Sequence, residues 1–243
     1  MEAKLRSVLR IPTLRLALKA VVFAGAVWWA RFGALDLLHT LFLLGVSSAL
    51  FLRRPLSEAR AFIVSFFAVL ALVSAVPPFG VVAAEVAFAT GAGTLFFLLL
   101  GMKEVVFFRR KSWYHLFFFS LLLAGNVIFL DRVHENPFVQ PFFFIALTFM
   151  YNEMYAALTP LSDRSRRLFV SAATALAAYE FIWTVRFLPL SEGDGAALAT
   201  LFSYAFTNIL VLHFRGTLTR QHVWRDGILL VGLSAFVFFF RSV

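Results

Sequence analysis

Long apolar runs recur along this chain and are separated by short polar segments. A helix needs about 20 apolar residues to cross a hydrocarbon core about 30 Å thick. We therefore predict an all-α protein, a polytopic integral membrane helix bundle with about nine transmembrane helices and no soluble domain; eight remain if the short last run does not cross. The predicted spans are 16–32, 34–52, 61–79, 80–102, 113–130, 138–159, 168–188, 196–214 and 226–241.

The longest apolar stretch, 61–102, contains one charged residue, Glu85. As a single helix it would be about 60 Å long, roughly twice the thickness of the hydrocarbon core. Pro77, Pro78 and Gly80 lie near its middle. Proline removes a backbone donor and clashes with the preceding turn, whereas glycine permits the chain to reverse. The sequence therefore predicts two spans joined by a tight turn.

The basic residues are distributed unevenly among the gaps between spans. Of 22 Lys and Arg residues, 18 lie before the first span or in alternate gaps, and the other gaps hold only Arg31, Arg132, Arg186 and Arg241. Short loops rich in Lys and Arg stay in the cytoplasm. This alternation predicts a multi-pass protein of a bacterial-type cytoplasmic membrane, with its N-terminus inside and its C-terminus outside.

Composition supports the same class of protein. The chain is 61% hydrophobic and 14% charged, whereas a soluble domain has about 25% charged residues. We attribute the net charge of +9 to loops that face anionic lipids at the cytoplasmic face of the bilayer, and not to nucleic acid binding. The absence of cysteine excludes disulfides, thiolate metal sites and cysteine nucleophiles.

The N-terminal residues 1–15 are predicted to form a basic segment, either cytoplasmic or lying on the membrane interface, and 16–243 a single transmembrane helical domain. An apolar run follows these basic residues, as it does in a cleaved signal peptide. Trp28 and Trp29 stand where a cleavage site would have small residues. The first run is therefore expected to remain as a span.

Polar residues inside the predicted spans are the candidates for function. A charged side chain at the middle of a bilayer costs at least about 2.5–3.5 kcal/mol. The candidates are Glu85, Asn126 and Glu180 in the outer half of the membrane, Asn152, Glu153 and His213 in the inner half, and Asn208 nearer the middle. Two polar layers could line a path, and they could also be two unrelated packing contacts.

Glu180 is the first candidate among these residues because it lies deepest. Arg186 follows six positions later, on a different helical face, so the two are not a local ion pair. We expect an unpaired Glu180 to be uncharged near neutral pH, and so able to donate a hydrogen bond or carry a proton. The alternative is structural, since buried Glu and Asn often join helices by hydrogen bonds. For His213 the alternative is an interfacial contact.

Small residues indicate where two of the spans approach each other. Ala83, Ala87 and Gly91 repeat every four positions in 80–102, and Ala173 and Ala177 do so in 168–188. Such rows let helix backbones pack closely in membranes. The sequence therefore predicts a contact between these spans that brings Glu85 and Glu180 together.

No catalytic, nucleotide-binding or metal-binding motif is present in the sequence, and no two of the five His residues have ligand spacing. We therefore predict no cofactor and no metal. Three functions stay open: a small transporter or ligand-binding membrane protein whose carboxylates line a polar cavity, a membrane-embedded enzyme acting on a lipid or lipid-linked substrate, and an intramembrane scaffold or assembly subunit. The oligomeric state, a helix-packing partner and the substrate also stay open.

Topology provides the first test. An odd number of spans requires the two termini to lie on opposite sides of the membrane. A green fluorescent protein fused to the N-terminus should fluoresce in the cytoplasm, and an alkaline phosphatase fused after Val243 should be active outside it. Both reporters on the same side would contradict the count of nine.

Overall fold

The computed structural model describes residues 2–32, 36–52, 59–104, 110–132 and 139–240. Arg53, Arg54, Arg109 and Arg241, which contribute to the predicted charge alternation, lie outside these residues. Over the described ranges the chain is helical and contains no strand, which confirms the all-α class.

Nine α-helices follow one another along the described chain, and each covers most of one predicted span. They are α1 (Glu2–Phe32), α2 (Leu37–Leu52), α3 (Ile63–Ala75), α4 (Val82–Lys103), α5 (Arg110–Arg132), α6 (Val139–Leu158), α7 (Arg164–Arg186), α8 (Glu192–Phe214) and α9 (Arg220–Phe240). A short 3-10 helix, Arg60–Phe62, precedes α3.

Five of the described segments are long and apolar enough to cross a membrane: Thr13–Phe32, Val82–Lys103, Ser112–Arg132, Arg164–Arg186 and Glu192–Phe214. Helices α2 and α3 are apolar but shorter, with 16 and 13 residues. Helix α6 is not among the five, because it contains Gln140, Asn152 and Glu153.

The division of the apolar stretch 61–102 is confirmed. Helix α3 ends at Ala75, α4 begins at Val82, and the turn between them contains Pro77 and Pro78. Gly80 has a φ of 70°, a left-handed conformation that costs glycine little and other residues more. The turn therefore depends on the residues that predicted it.

Helices α7 and α8 begin four residues before the predicted spans 168–188 and 196–214, because helix caps and first turns are polar. Asp163 caps α7 by accepting a hydrogen bond from the Ser165 backbone N–H at 3.0 Å. Ser191 caps α8 by accepting one from the Asp194 N–H at 3.1 Å. Helix α8 thus has Glu192 in its first turn, where the helix dipole stabilises carboxylates.

Helix α1 is continuous from Glu2 through Pro12 to Phe32. The predicted boundary between the N-terminal segment 1–15 and the first span thus falls within one helix. Arg15 is exposed, whereas Lys19, one turn later, is buried. A hydropathy boundary need not be a structural boundary, because a basic segment with good helix formers continues an adjacent helix.

The contacts divide the chain into two compact units, Met1–Leu121 and Leu122–Val243. In the first unit α1 packs most extensively against α4. The rings of Phe23 and Phe96 stack with centroids 4.1 Å apart. A Cβ atom at Gly93 would lie 2.8 Å from the Ala24 Cβ and 3.2 Å from the Ala20 carbonyl oxygen. Glycine at position 93 therefore lets the two helix backbones approach.

In the second unit α7 packs between α6 and α8, and α9 packs on α8. Phe129, Leu130, Ile182, Ala196 and Ala199 form a buried core. The Phe181 and Phe202 rings stack with centroids 4.0 Å apart and join α7 to α8. Aromatic packing of this kind suits a chain with 32 Phe residues.

The close approach at Gly93 generates a test on α4. We expect Gly93→Ala to lower the melting temperature, because overpacking a tight contact costs about 1–3 kcal/mol. Gly91→Ala is the matched control, since nothing lies within 4 Å of a Cβ atom there and the change favours helix. Thermal unfolding of the two purified variants in the same detergent gives the comparison. Equal shifts would show that α1 and α4 do not meet at Gly93.

Candidate functional site

Arg31 and Glu85 form an ion pair between the end of α1 and the start of α4, with Arg31 buried and Glu85 half-buried. The Arg31 Nε atom donates to Glu85 Oε2 at 2.5 Å, and Nη2 lies 3.4 Å from Oε1. The Arg31 side chain is 0% exposed and that of Glu85 14%. An apolar environment makes a charge expensive unless a partner neutralises it. Each residue therefore allows the other to be buried.

The turn between α3 and α4 completes this arrangement through its backbone. Arg31 Nη1 and Nη2 donate to the carbonyl oxygens of Val76 and Pro77, each at 2.7 Å. The Phe79 N–H donates to Glu85 Oε1 at 2.5 Å. Carbonyls released at the end of α3 are thus satisfied by a side chain from α1. The ion pair holds three helices together at this turn.

Aromatic rings enclose the guanidinium group. The Arg31 Cζ atom lies 4.2 Å from the centroid of the Phe88 ring and 5.2 Å from that of Phe79. Such cation–π contacts contribute about 0.5–2 kcal/mol each, with the larger values at desolvated sites. The ring faces therefore stabilise the charge of Arg31 in addition to the carboxylate.

A cavity of about 250 Å³ opens beside this ion pair. Its walls combine the two charged side chains with aromatic and aliphatic surface. The lining residues are Trp28, Arg31, Phe32, Pro78, Gly80, Val82 and Glu85. Among the sequence candidates, Glu85 is thus a carboxylate that lines a cavity.

Near the middle of α1 and the end of α4 lies a second charge cluster. The Lys19 amine is paired with the Glu104 carboxylate, and the Lys103 amine donates to the Phe51 carbonyl at the end of α2. Lys103 is fully buried. The charge alternation places Lys19 and Lys103 among the loop residues. That placement is wrong, because both side chains are buried. Long aliphatic stems let both amines reach partners inside the helix packing.

In the second unit the inner-half candidates lie on α6. Glu153 is buried at 7% exposure, and the Asn152 amide oxygen accepts from Arg167 Nε at 3.2 Å. One turn beyond, the Tyr155 hydroxyl lies 2.9 Å from the Thr174 hydroxyl. These contacts join α6 to α7. The charge alternation places Arg167 in a loop, but its side chain forms a polar contact between α7 and α6.

Asn126 and Asn208 both link helices. The Asn126 Nδ2 atom donates to Thr200 Oγ1 at 3.0 Å and joins α5 to α8. The Asn208 Nδ2 atom donates to Asp226 Oδ2 at 2.5 Å and joins α8 to α9. Asp226 is only 1% exposed, and its Oδ1 atom accepts two bonds from Arg225, at 2.9 and 3.0 Å. Both carboxylate oxygens therefore have donors.

Glu180 does not occupy a buried position. Its side chain lies on the exposed face of α7, in line with Leu176 and Thr184. Arg186 stacks over the Trp183 ring at 4.7 Å. His213 is exposed, 5.6 Å from the Phe214 ring. Depth along a helix does not fix which way a residue faces.

Arg31 and Asp226 are the partners that sequence analysis missed. Each lies near the end of a predicted span, so each was assigned to a loop or boundary. A usable signal for Asp226 was its position at the start of an apolar run, opposite Asn208 across a short turn. Arg31 offered no comparable signal, because its partner Glu85 lies 54 residues away in the chain.

The predicted contact between α4 and α7 stays a prediction, and so do the ligand-binding roles assigned to the individual candidates. Across the described residues, no group of three His, Asp or Glu side chains is placed to hold a metal ion. Comparison with protein-family models, with curated proteins and with solved structures found no match.

A double-mutant cycle tests the ion pair. We expect Glu85→Gln to destabilise the protein by about 3 kcal/mol, because it leaves the buried Arg31 guanidinium uncompensated. The double variant Arg31→Met/Glu85→Gln should lose less than the sum of the single variants. Thermal unfolding in detergent measures all three. Glu180→Gln, at an exposed carboxylate, is the control and should change stability by less than about 0.5 kcal/mol. Additive effects of the two substitutions would argue against the pair.

Proposed function

We propose that this chain is a multi-pass protein of the cytoplasmic membrane, with nine spans, a cytoplasmic N-terminus and an outside C-terminus. The five long apolar segments and the alternation of basic residues support this proposal. The short helix α3 continues the helical residues from 59 onward, which gives about 25 Å of helix over 59–75. Modest thinning of the bilayer accommodates a span of that length.

Within this layout we propose that the protein binds a small solute at the cavity beside Arg31 and Glu85, as a transporter or a ligand-binding protein. The observation that carries the proposal is that an ion pair with a buried arginine lines a cavity of about 250 Å³. Ligand pockets usually have about 300–1,000 Å³, so a small solute is expected.

The chemistry of the cavity walls favours a zwitterionic solute. Arg31 supplies a donor for a carboxylate, and Glu85 supplies an acceptor for a cation. Trp28 adds an aromatic wall, which attracts cationic groups. A ligand with both charges would find both partners without leaving either protein charge unpaired.

Binding at this site would also act on the turn between α3 and α4. A ligand carboxylate would compete with Glu85 for the Arg31 guanidinium, which also holds the carbonyls of Val76 and Pro77. Displacement of Glu85 would release the Phe79 N–H from its carboxylate. In a transporter, this exchange would link ligand binding to movement of the turn.

A second candidate function, an intramembrane scaffold or assembly subunit, is favoured by the exposed Glu180. An acidic side chain that faces hydrocarbon is costly, even when protonated. Leu176 and Phe187 on the same side of α7 are 47% and 81% exposed. Under this proposal, Glu180 lies against a polar side chain of another helix, and the apolar residues pack beside it.

The cavity proposal is tested by blocking it without touching the ion pair. Val82 lines the cavity, whereas its exposed neighbour Val81 does not. We expect glycine betaine, a zwitterion, to raise the melting temperature of the wild type and of Val81→Trp, but not of Val82→Trp. Choline and acetate, each with one charge, should have smaller effects. If betaine shifts Val82→Trp as much as the wild type, or shifts neither, the cavity is not the binding site.

A further inference from the structure

One face of α9 forms a shallow, open groove that the proposed function does not use. Its lining residues are Arg220, Gln221, Trp224, Arg225, Ile228 and Leu229. Among the described helices, α9 packs extensively against α8 alone. That contact involves the side of α9 that carries Asp226, opposite the groove. Trp224 is 60% exposed and Ile228 66%. The groove is therefore an accessible surface with a basic end and an apolar end.

The order of residues along α9 matches one leaflet of a bilayer. The arginines occupy the first two turns, Trp224 lies between them, and from Ile228 the exposed face is apolar as far as Phe239. Tryptophan is enriched at the interface between headgroups and hydrocarbon.

The buried carboxylate of Asp226 holds the Arg225 guanidinium in place at the basic end of the groove. Arg225 donates two hydrogen bonds to Asp226, yet its side chain remains 59% exposed. Asp226 is itself 1% exposed and also accepts from Asn208, so it lies behind the groove. Arg220 adds a further exposed cation one turn earlier. Arginine binds phosphate oxygens in a bidentate manner, and a fixed guanidinium loses little entropy when it does so.

We propose that this groove binds an anionic phospholipid, with the phosphate on Arg220 and Arg225 and an acyl chain along Ile228 and the apolar face beyond it. The inference rests on the membrane placement proposed above, which puts the start of α9 at the cytoplasmic face. That leaflet carries the anionic lipids. A helix of another protein is the alternative occupant. Charge complementarity with a phosphate favours the lipid.

The test uses the purified full chain in a neutral detergent and three soluble probes: dioctanoyl phosphatidylglycerol, dioctanoyl phosphatidylcholine and inorganic phosphate. We expect saturable binding of phosphatidylglycerol, measured by calorimetry, and much weaker binding of the other two. Arg220→Gln/Arg225→Gln should weaken that binding about 25-fold, because each arginine near an anionic surface contributes about fivefold.

Arg164→Gln/Arg166→Gln is the matched control. These two exposed arginines belong to the first turn of α7, on the same predicted side of the membrane, and do not line the groove. This variant should bind phosphatidylglycerol within about twofold of the wild type. Equal weakening in both double variants, or equal binding of phosphate and phosphatidylglycerol, would overturn the lipid site.

Two further measurements keep the outcomes separate. Arg225→Lys retains a cation and should restore most of the binding lost in Arg225→Gln, with melting temperatures showing that all variants are folded. Washing membranes with alkaline carbonate tests placement independently. Release of the chain by carbonate would overturn the proposed membrane placement. If the chain is retained but Arg220→Gln/Arg225→Gln binds phosphatidylglycerol as the wild type does, only the proposed lipid site is overturned.

Discussion

The pairing of Arg31 with Glu85 is the contact on which the first unit depends. It joins the end of α1 to the start of α4, and the same guanidinium satisfies two carbonyls of the preceding turn. Near the middle of α1, Lys19 is paired with Glu104, which follows the last residue of α4. The two ion pairs fix α1 and α4 in antiparallel register, and Gly93 allows the close approach between them. Loss of either charge leaves its partner buried alone, which is expensive in an apolar environment.

In the second unit, hydrogen bonds of uncharged side chains join neighbouring helices. Asn126, Tyr155 and Asn208 each reach a neighbouring helix. Where helices are surrounded by lipid, such bonds and close packing replace the hydrophobic drive that acts in water. Asp226 is a strongly buried acid that accepts hydrogen bonds on both carboxylate oxygens. Glu180 is the contrasting case, because its exposed side chain calls for a partner outside α7.

Function follows from how these charges are placed. A buried ion pair that is also the wall of a cavity is suited to exchange partners with a ligand, since its two charges remain neutralised throughout. An arginine pair at the start of α9, backed by Asp226 and followed by apolar residues, is suited to a lipid phosphate and its acyl chain. The two sites belong to different units and use different chemistry, so each is tested without disturbing the other.

The sequence by itself determined the helical class, the approximate helix positions and the break at Pro77, Pro78 and Gly80, because these depend on local periodicity and backbone chemistry. It also identified Glu85, Asn126 and Asn208 as polar residues to examine. Tertiary structure decided their partners and which way each side chain faces. Arg31 meets Glu85 across 54 positions, whereas Glu180, the first candidate by depth, is exposed. The periodicity of a sequence predicts individual helices, whereas the pairing of charges depends on how two helices pack against each other.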